Sequence, residues 1–304
     1  MSWHRPHGST SRDGWDVVVE PDASGWEHTG LYAGRLADGE TRAIEAGHRE
    51  HVVVPLSGSV VVVADGADGT DGRDEAKLEG RASVFAGATD VAYVPAGSSL
   101  RVTAVGDARV AVAFAVTASA TARFPFRHVA AADVPVELRG AGIASREVRN
   151  FGTPGVLDAD SIIACEVVTP AGNWSSWPPH KHDEERPGEE AQLEEIYYFE
   201  VAPEAGTPSA AATDPIGYQR VYGTEHRPIE VLAEVRSGDV VLVPHGWHGP
   251  AMAAPGYDLY YLNVMAGPGA ERAWLICDDP AHGWVRDTWP DQQIDPRLPL
   301  GGTR

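Results

Sequence analysis

Short runs rich in Val, Tyr and Phe recur along this chain between glycine- and proline-bearing turns, and no long amphipathic helical stretch interrupts them. That pattern predicts an all-β molecule of sandwich or barrel units, not alternating β/α units. In the first half, strands are predicted near residues 15–20, 30–36, 51–64, 82–86, 90–95, 100–105 and 108–116. Residues 65–80, rich in Gly and Asp, read as an exposed loop. A connector over about residues 117–155 leads to a second half, with strands predicted at 160–169, 173–182, 195–201, 217–223, 229–235, 239–244 and 257–264. The tail from residue 272, which carries Cys277-Asp278-Asp279-Pro280 and Trp284, reads as a wrap over the second unit. Helices are expected to be few and short.

The halves share their punctuation. The run from Gly238 through Pro244 and Gly246 to His248 has a counterpart from Gly87 through Pro95 and Gly97 to Ser99. Proline followed two residues later by glycine is a turn signal in both. Glu195, at the head of an aromatic strand, has a weaker echo in Glu50-His51-Val52-Val53. These matches predict a duplicated barrel: residues 1–125 form one unit, and residues 126–304 supply a linker, the second barrel and the wrap. A length of 304 residues accommodates two domains, and 43% hydrophobic content is enough for a core in each.

Charge and cysteine content mainly exclude. A formal net charge of −20 argues against nucleic acid and anionic membrane as partners. Cys165 and Cys277, far apart and outside any C-x-x-C, imply no disulfide framework and read as inert core thiols. The N-terminus lacks a charged segment followed by an apolar run, and no uninterrupted apolar stretch approaches membrane-spanning length. A soluble cytoplasmic protein is expected, and a homo-oligomer is compatible with the sequence.

The chemistry concentrates between Asn173 and Phe199. His180 and His182 are two apart, so on a strand they share a face at roughly 6.6 Å. Two imidazoles so placed can converge on one ion at about 2.1 Å from each ring nitrogen. His248 offers a third imidazole, and a carboxylate heading the next strand offers an oxygen. Glu194 and Glu195 both stand there, and because they point to opposite faces of an ideal strand only one of them can coordinate. Three neutral nitrogens and a carboxylate suit a borderline divalent metal with positions left open for a substrate. His245, three residues before His248, is a candidate base, with a solvent-facing loop histidine as the alternative reading. Tyr197, Tyr198, Tyr260 and Tyr261 could move protons, although strand tyrosines are more often packed core. Tyr198 is taken as the catalytic candidate and Tyr261 as a substrate-binding one. A substrate carboxylate would call for a bidentate arginine, for which Arg139 and Arg146 are the candidates. Asp183, Glu184, Glu185, Glu189 and Glu190 read as a solvated loop, and Trp174 and Trp177 as core packing.

H-x-H, then Glu, then a distant P-x-G followed by His resembles the two motifs of the cupin superfamily. More narrowly, N-W-S-S-W-P-P-H-K-H-D, L-E-E-I-Y-Y-F, W-H-G-P, Y-Y-L-N-V-M-A-G and D-D-P-A-H-G-W resemble the 5-deoxy-glucuronate isomerase family of bacterial myo-inositol catabolism. That family stands beside the 4-deoxy-threo-hexosulose-uronate ketol-isomerases of pectin breakdown. The match is densest over about residues 139–289. The loop between His182 and Glu195 is longer than the general cupin spacing, one residue instead of two separates Gly246 from His248, and Met252 stands where many cupins have Asn.

The resemblance implies a bicupin, with metal held by His180, His182, Glu195 and His248 in the second barrel only. The position of Glu195 relative to Tyr198 and Phe199 resembles the ligand position of other cupins. It further implies a sugar-acid substrate, 5-deoxy-D-glucuronate, isomerised to 5-dehydro-2-deoxy-D-gluconate without redox change or organic cofactor. Zinc is the first expectation for the ion, and manganese, iron and nickel fit the same donors. Two other functions use the same motifs. A cupin dioxygenase would show oxygen-dependent turnover and an oxidised product. A non-catalytic sugar-acid-binding module of the sensor kind usually carries a DNA-reading domain, and no helix-turn-helix pattern or basic patch is present.

Overall fold

Runs of β-branched and aromatic residues buried on both faces make the long strands of this molecule. A computed structural model describes residues 2–22, 25–66, 72–207 and 213–301. One eight-stranded antiparallel sheet forms the N-terminal barrel. It contains β2 (Val17–Val19), β3 (Thr29–Leu36), β4 (Thr41–Ile44), β5 (Arg49–Asp65), β6 (Arg73–Arg81), β7 (Val91–Val94), β8 (Ser99–Val116) and β9 (Arg127–Val129). The C-terminal barrel has two sheets. Its seven-stranded sheet runs β1 (His4–Arg5), β18 (Val240–Val243), β15 (Glu194–Pro203), β20 (Tyr257–Ala266), β12 (Ile163–Thr169), β11 (Arg146–Gly152) and β10 (Val136–Arg139). Facing it are β17 (Glu230–Val235), β16 (Gly217–Tyr222), β19 (Trp247–Ala253), β14 (His180–Lys181) and β21 (Cys277–Asp278), with β13 (Trp174–Ser175) also paired to β19.

Strand pairing differs from several sequence expectations. Residues 73–80 of the expected loop belong to strand β6, paired to β5, while residues 67–71 lie outside the described residues. Residues 100–105 and 108–116 are one strand, because β8 runs on past Gly106 and Asp107 opposite a register shift at Ser57 and Ser59 of β5. The run at 82–86 is a turn: Ala86 N donates to Ser83 O at 3.0 Å, and the Val84 carbonyl accepts from Arg149 instead of a strand. Predicted strand 173–182 is split into β13 and β14 by Trp177-Pro178-Pro179, whose prolines supply no ladder N–H. The connector packs on both halves, with β9 on β7 of the first barrel and β10 on β11 of the second. The first strand, β1, pairs with β18 of the opposite barrel.

Apolar side chains form a core in each barrel and a third between them. Period-two alternation decides which core a residue joins. Tyr197, Phe199 and Tyr261 fill the C-terminal barrel, whereas Ile196, Tyr198 and Tyr260 face the N-terminal barrel. Buried ion pairs cross the same interface: Arg81 Nη1 donates to Glu166 Oε2 at 2.9 Å, and Arg109 pairs with Glu200. The pairing registers also coincide. His51 opposes Val94 and Phe114 on its two neighbours, and Glu195 opposes Val243 and Met265. His51 and Glu195 therefore hold equivalent positions on the central strands of the two barrels. No helix of the described residues is long and apolar enough to cross a membrane.

Candidate metal centre and anion pocket

β14 brings the first imidazole to the centre by pairing with two strands at once: His180 opposes His248 on β19 and Asp278 on β21. His182 lies just past β14, where its carbonyl accepts from Leu193 N at 2.8 Å. One ligand atom from each of His180, His182 and His248 lies within 4.8 Å of the others, and all three residues are buried. Each Nδ1 faces a backbone carbonyl: Pro178 O at 3.4 Å, Leu193 O at 3.1 Å and Gly246 O at 3.1 Å. A neutral imidazole that donates from Nδ1 keeps a lone pair on Nε2, so these carbonyls set the tautomer a metal needs.

Glu195 adjoins two members of the cluster. Its Oε2 lies 3.2 Å from His182 Nε2 and 3.1 Å from His248 Nε2. Glu194 points the other way and accepts from Glu27 N, His28 N and Thr29 N of the N-terminal barrel at 3.0, 2.7 and 2.6 Å. Burial alone would raise the Glu195 pKa, but hydrogen bonds and charge from His182 and His248 outweigh it and hold the carboxyl at about 2. Burial pushes His180 well below the usual imidazole range, with His248 and His182 adding to it. For His182 burial acts the same way but is overcome by Glu195, so its pKa rises. Beyond its 3.1 Å approach to Glu195 Oε2, the buried His248 Nε2 has no partner among the described residues, as suits a ligand nitrogen. Three imidazole nitrogens and a carboxylate thus fit a divalent ion.

The strands around the cluster are tied together by polar groups. Lys181, pointing away from the imidazoles, donates to Asp183 Oδ1 at 2.6 Å and to Glu190 Oε1 at 2.9 Å. Asp183 Oδ2 accepts Gly246 N at 2.8 Å and so links the His182 segment to the turn before His248. The acidic loop is therefore not uniformly solvated, since Asp183 and Glu190 are buried while Glu184, Glu185 and Glu189 are exposed. Next to His248, Gly249 has φ +103°, and a Cβ there would strike the Ser176 carbonyl. Only glycine lets these two segments approach so closely.

A cavity of about 350 Å³ opens on His180, lined by Arg139, Arg146, Trp274, Ile276, Asp278 and Arg286. Two of its guanidiniums are paired: Arg139 Nη2 donates to Glu137 at 2.6 Å, and Arg286 Nη2 to Asp278 at 2.8 Å. Arg146 is buried and donates to Ala144 O at 3.0 Å, but no carboxylate among the described residues pairs with it. Burial lowers its pKa to about 10, so it stays cationic at neutral pH. A buried, uncompensated cation is costly unless an anion completes it. Arg286, from the C-terminal tail, was not legible as a site residue; the only nearby signal is the D-D-P-A-H-G-W motif that precedes it.

Tyr261 and Tyr197 stand beside this centre. Both hydroxyls lie 3.2 Å from Ser176 Oγ, and the Tyr197 ring lies 6.1 Å from that of His248. Burial raises the pKa of both, so both hold protons at neutral pH. Tyr198 is not brought to the imidazoles: on the opposite strand face its hydroxyl donates to Glu200 at 2.6 Å and accepts from Arg109 at 3.1 Å. The alternation that selects Glu195 also selects Tyr197, two residues on, a signal present in the sequence. His245 is separated as well; it lines a different cleft with Trp3, His28, Glu194 and Arg227. Trp174 is 37% exposed, and the half-buried Trp177 packs 5.2 Å from His282, so neither is core. Cys165 is buried, but Cys277 is half-buried on β21, outside the cores.

Residues 3–285 match the model of the KduI/IolB family. A 5-deoxy-glucuronate isomerase of Geobacillus kaustophilus is 39% identical over 290 residues, covering 93% of this chain and 95% of the relative. A crystal structure of an IolB-like protein from Salmonella typhimurium superposes with a TM-score of 0.80 at 32% identity, covering 94% of this chain and 99% of that one. An oxalate decarboxylase from Lactobacillus farciminis shares the fold at 12% identity, with a TM-score of 0.56 over 83% of this chain and 79% of its own.

Proposed function

From a chain that belongs to the KduI/IolB family, we propose an aldose–ketose isomerase that converts 5-deoxy-D-glucuronate to 5-dehydro-2-deoxy-D-gluconate. The supporting observation is one pocket in which His180, from a cluster of three convergent imidazoles, meets the buried, carboxylate-free guanidinium of Arg146. His180, His182, His248 and Glu195 would hold a divalent ion, zinc first, with manganese, iron or nickel compatible with the same donors. When bound, such an ion supplies Lewis acidity for the carbonyl and hydroxyl oxygens at C1 and C2.

The chain's own residues do the rest. Arg146 binds the substrate carboxylate, with Arg139 and Arg286 raising the local positive potential despite the net charge of −20; over a screening length of about 8 Å nearby guanidiniums outweigh distant acids. Anchoring the carboxylate directs the aldehyde end toward the imidazole cluster. Moving the carbonyl from C1 to C2 requires a proton to leave C2 and one to return at C1. Tyr197 and Tyr261, protonated and bridged by Ser176, are placed to donate to substrate oxygens as charge develops. These roles are assigned to Tyr197 and Tyr261 in place of Tyr198, whose hydroxyl meets Glu200 and Arg109, and of His245, which lines a different cleft.

Incubating metal-loaded protein with 5-deoxy-D-glucuronate in D2O, followed by NMR, tests the reading. The ketose should form and carry deuterium at C1. No turnover with zinc, manganese, iron or nickel would remove the isomerase assignment.

A further inference from the structure

We propose that the mouth of the N-terminal barrel is a second ligand site, for a neutral polyhydroxylated molecule of monosaccharide size. This inference does not depend on the isomerase reading. A cavity of about 610 Å³ opens there, within the range of small-molecule sites. The β4–β5 corner forms part of its wall, where the C-terminal barrel has the β14–β15 corner that carries His182 and Glu195. The cavity thus lies at the same end of its barrel as the metal centre does of the other.

The lining suits a sugar. Trp15 and Tyr32 present rings 5.6 Å apart and inclined at 30°, and Tyr32 stacks on Phe114 beneath it. Trp15 is nearly fully buried, with Arg42 6.0 Å from its ring, so the two rings give the cavity an apolar floor for the C–H groups of a pyranose or alditol. At the edge of the rings, Arg49 Nη1 donates to Glu20 Oε1 at 3.1 Å and to the Tyr32 hydroxyl at 2.8 Å, and Tyr32 donates to the same carboxylate. The other Glu20 oxygen already accepts from Arg12, which leaves the carboxylate one acceptor position, and Nε and Nη2 of Arg49 make no hydrogen bond with the described residues. Adjacent hydroxyls, each donor and acceptor, match that pairing.

Charge selects the class. Arg12 and Arg49 face Asp13, Glu20 and Glu45 around the rim, so an added carboxylate meets near-balanced to negative surroundings. In the C-terminal pocket Glu137 and Asp278 offset Arg139 and Arg286, and one buried guanidinium, that of Arg146, is left without a carboxylate. A sugar acid therefore goes to the second barrel, and the first takes an uncharged polyol. His51 lies deeper in the same barrel, outside the cavity's lining. It is buried on the same strand face as Arg49, its ring lies 5.9 Å from that of Phe114, and neither ring nitrogen has a hydrogen-bond partner.

Saturation-transfer NMR of the full chain against a panel of neutral hexoses, pentoses and their alditols, with glucuronate as the charged comparison, tests the site. At least one neutral member should bind. Glu20→Gln and Tyr32→Phe should each weaken it about tenfold with unchanged circular dichroism, the loss expected for a hydrogen bond to a charged group. Arg146→Met should leave that affinity unchanged. The proposal is overturned if no neutral member binds, if glucuronate is preferred at the site defined by Glu20, or if Arg146→Met abolishes binding that both N-terminal variants keep.

Discussion

On the central strand of the N-terminal barrel, Glu50 and His51 sit where Glu194 and Glu195 sit in the C-terminal barrel. The two interface glutamates are reciprocal. Glu50 accepts from Asp160 N, Ser161 N and Ile162 N of the second barrel at 2.8, 2.6 and 2.7 Å, as Glu194 accepts from three backbone amides of the first. The neighbouring interior positions have diverged. Glu195 meets His182 and His248, whereas His51 meets Phe114. In the first barrel Ser99 stands where the second has His248, and the adjoining pair on β4 and β8 is Ile44 opposite Leu100; in the second barrel His180 opposes His248. Strand alternation explains how both outcomes coexist, because successive residues serve different faces and the interface can be kept while a site is lost or gained.

The largest expected effect separates the barrels outright. His248→Ala should remove bound metal and lower turnover by about 10³-fold or more, while Ser99→Ala leaves metal content unchanged; elemental analysis and NMR turnover read both. Loss of half the metal in the Ser99 variant would mean that the first barrel is occupied too. Arg146→Met should lower kcat/KM by about 10²-fold without destabilising the fold, since no carboxylate loses its partner. A variant that unfolds with activity per folded molecule intact would recast Arg146 as structural.

Smaller effects divide the faces of β15. Tyr197→Phe should cost about tenfold in kcat, and Tyr198→Phe should change it by about twofold or less; the reverse order would place the active face on the wrong side of the strand. Glu166→Gln should cost about 3 kcal/mol in denaturant unfolding at pH 7, because it leaves the buried Arg81 without its carboxylate, while Arg149 keeps Glu147. Burial works to raise the Glu166 pKa, but Arg81 and Arg149 outweigh it and lower it below the ordinary carboxylate value of 4.5. A depressed folded pKa means that its stabilisation is complete above the unfolded pKa and fades as pH falls through the folded one. The wild-type and Glu166→Gln stability curves should therefore converge below about pH 4.5; parallel curves would exclude a charged Glu166 as the source.

Much of the second barrel was legible because its signals are local. Strand runs between Gly and Pro turns, the i, i+2 spacing of His180 and His182, and the punctuation shared by Pro244 and Pro95 all lie within a few residues of sequence. β6 was hidden by the Gly- and Asp-rich composition beside it, and β19 by the turn residues around His248. Tyr198 was preferred over Tyr197 although the face that holds Glu195 belongs to residues two apart. The burial of Asp183 and Glu190 was not legible, since an acidic run appears solvated until Lys181 and Gly246 are brought against it.

Local periodicity and residue chemistry by themselves determined an all-β duplicated chain with three convergent histidines in its second half. Only the tertiary structure decided that Glu194 serves the interface and Glu195 the cluster. It alone brought Arg286 from the tail into the pocket, left Arg146 without a carboxylate and opened a cavity in the first barrel. These outcomes depend on partners distant in sequence, and a side chain's charge or hydrogen-bond state is set by what surrounds it in space, which spacing along the chain does not encode.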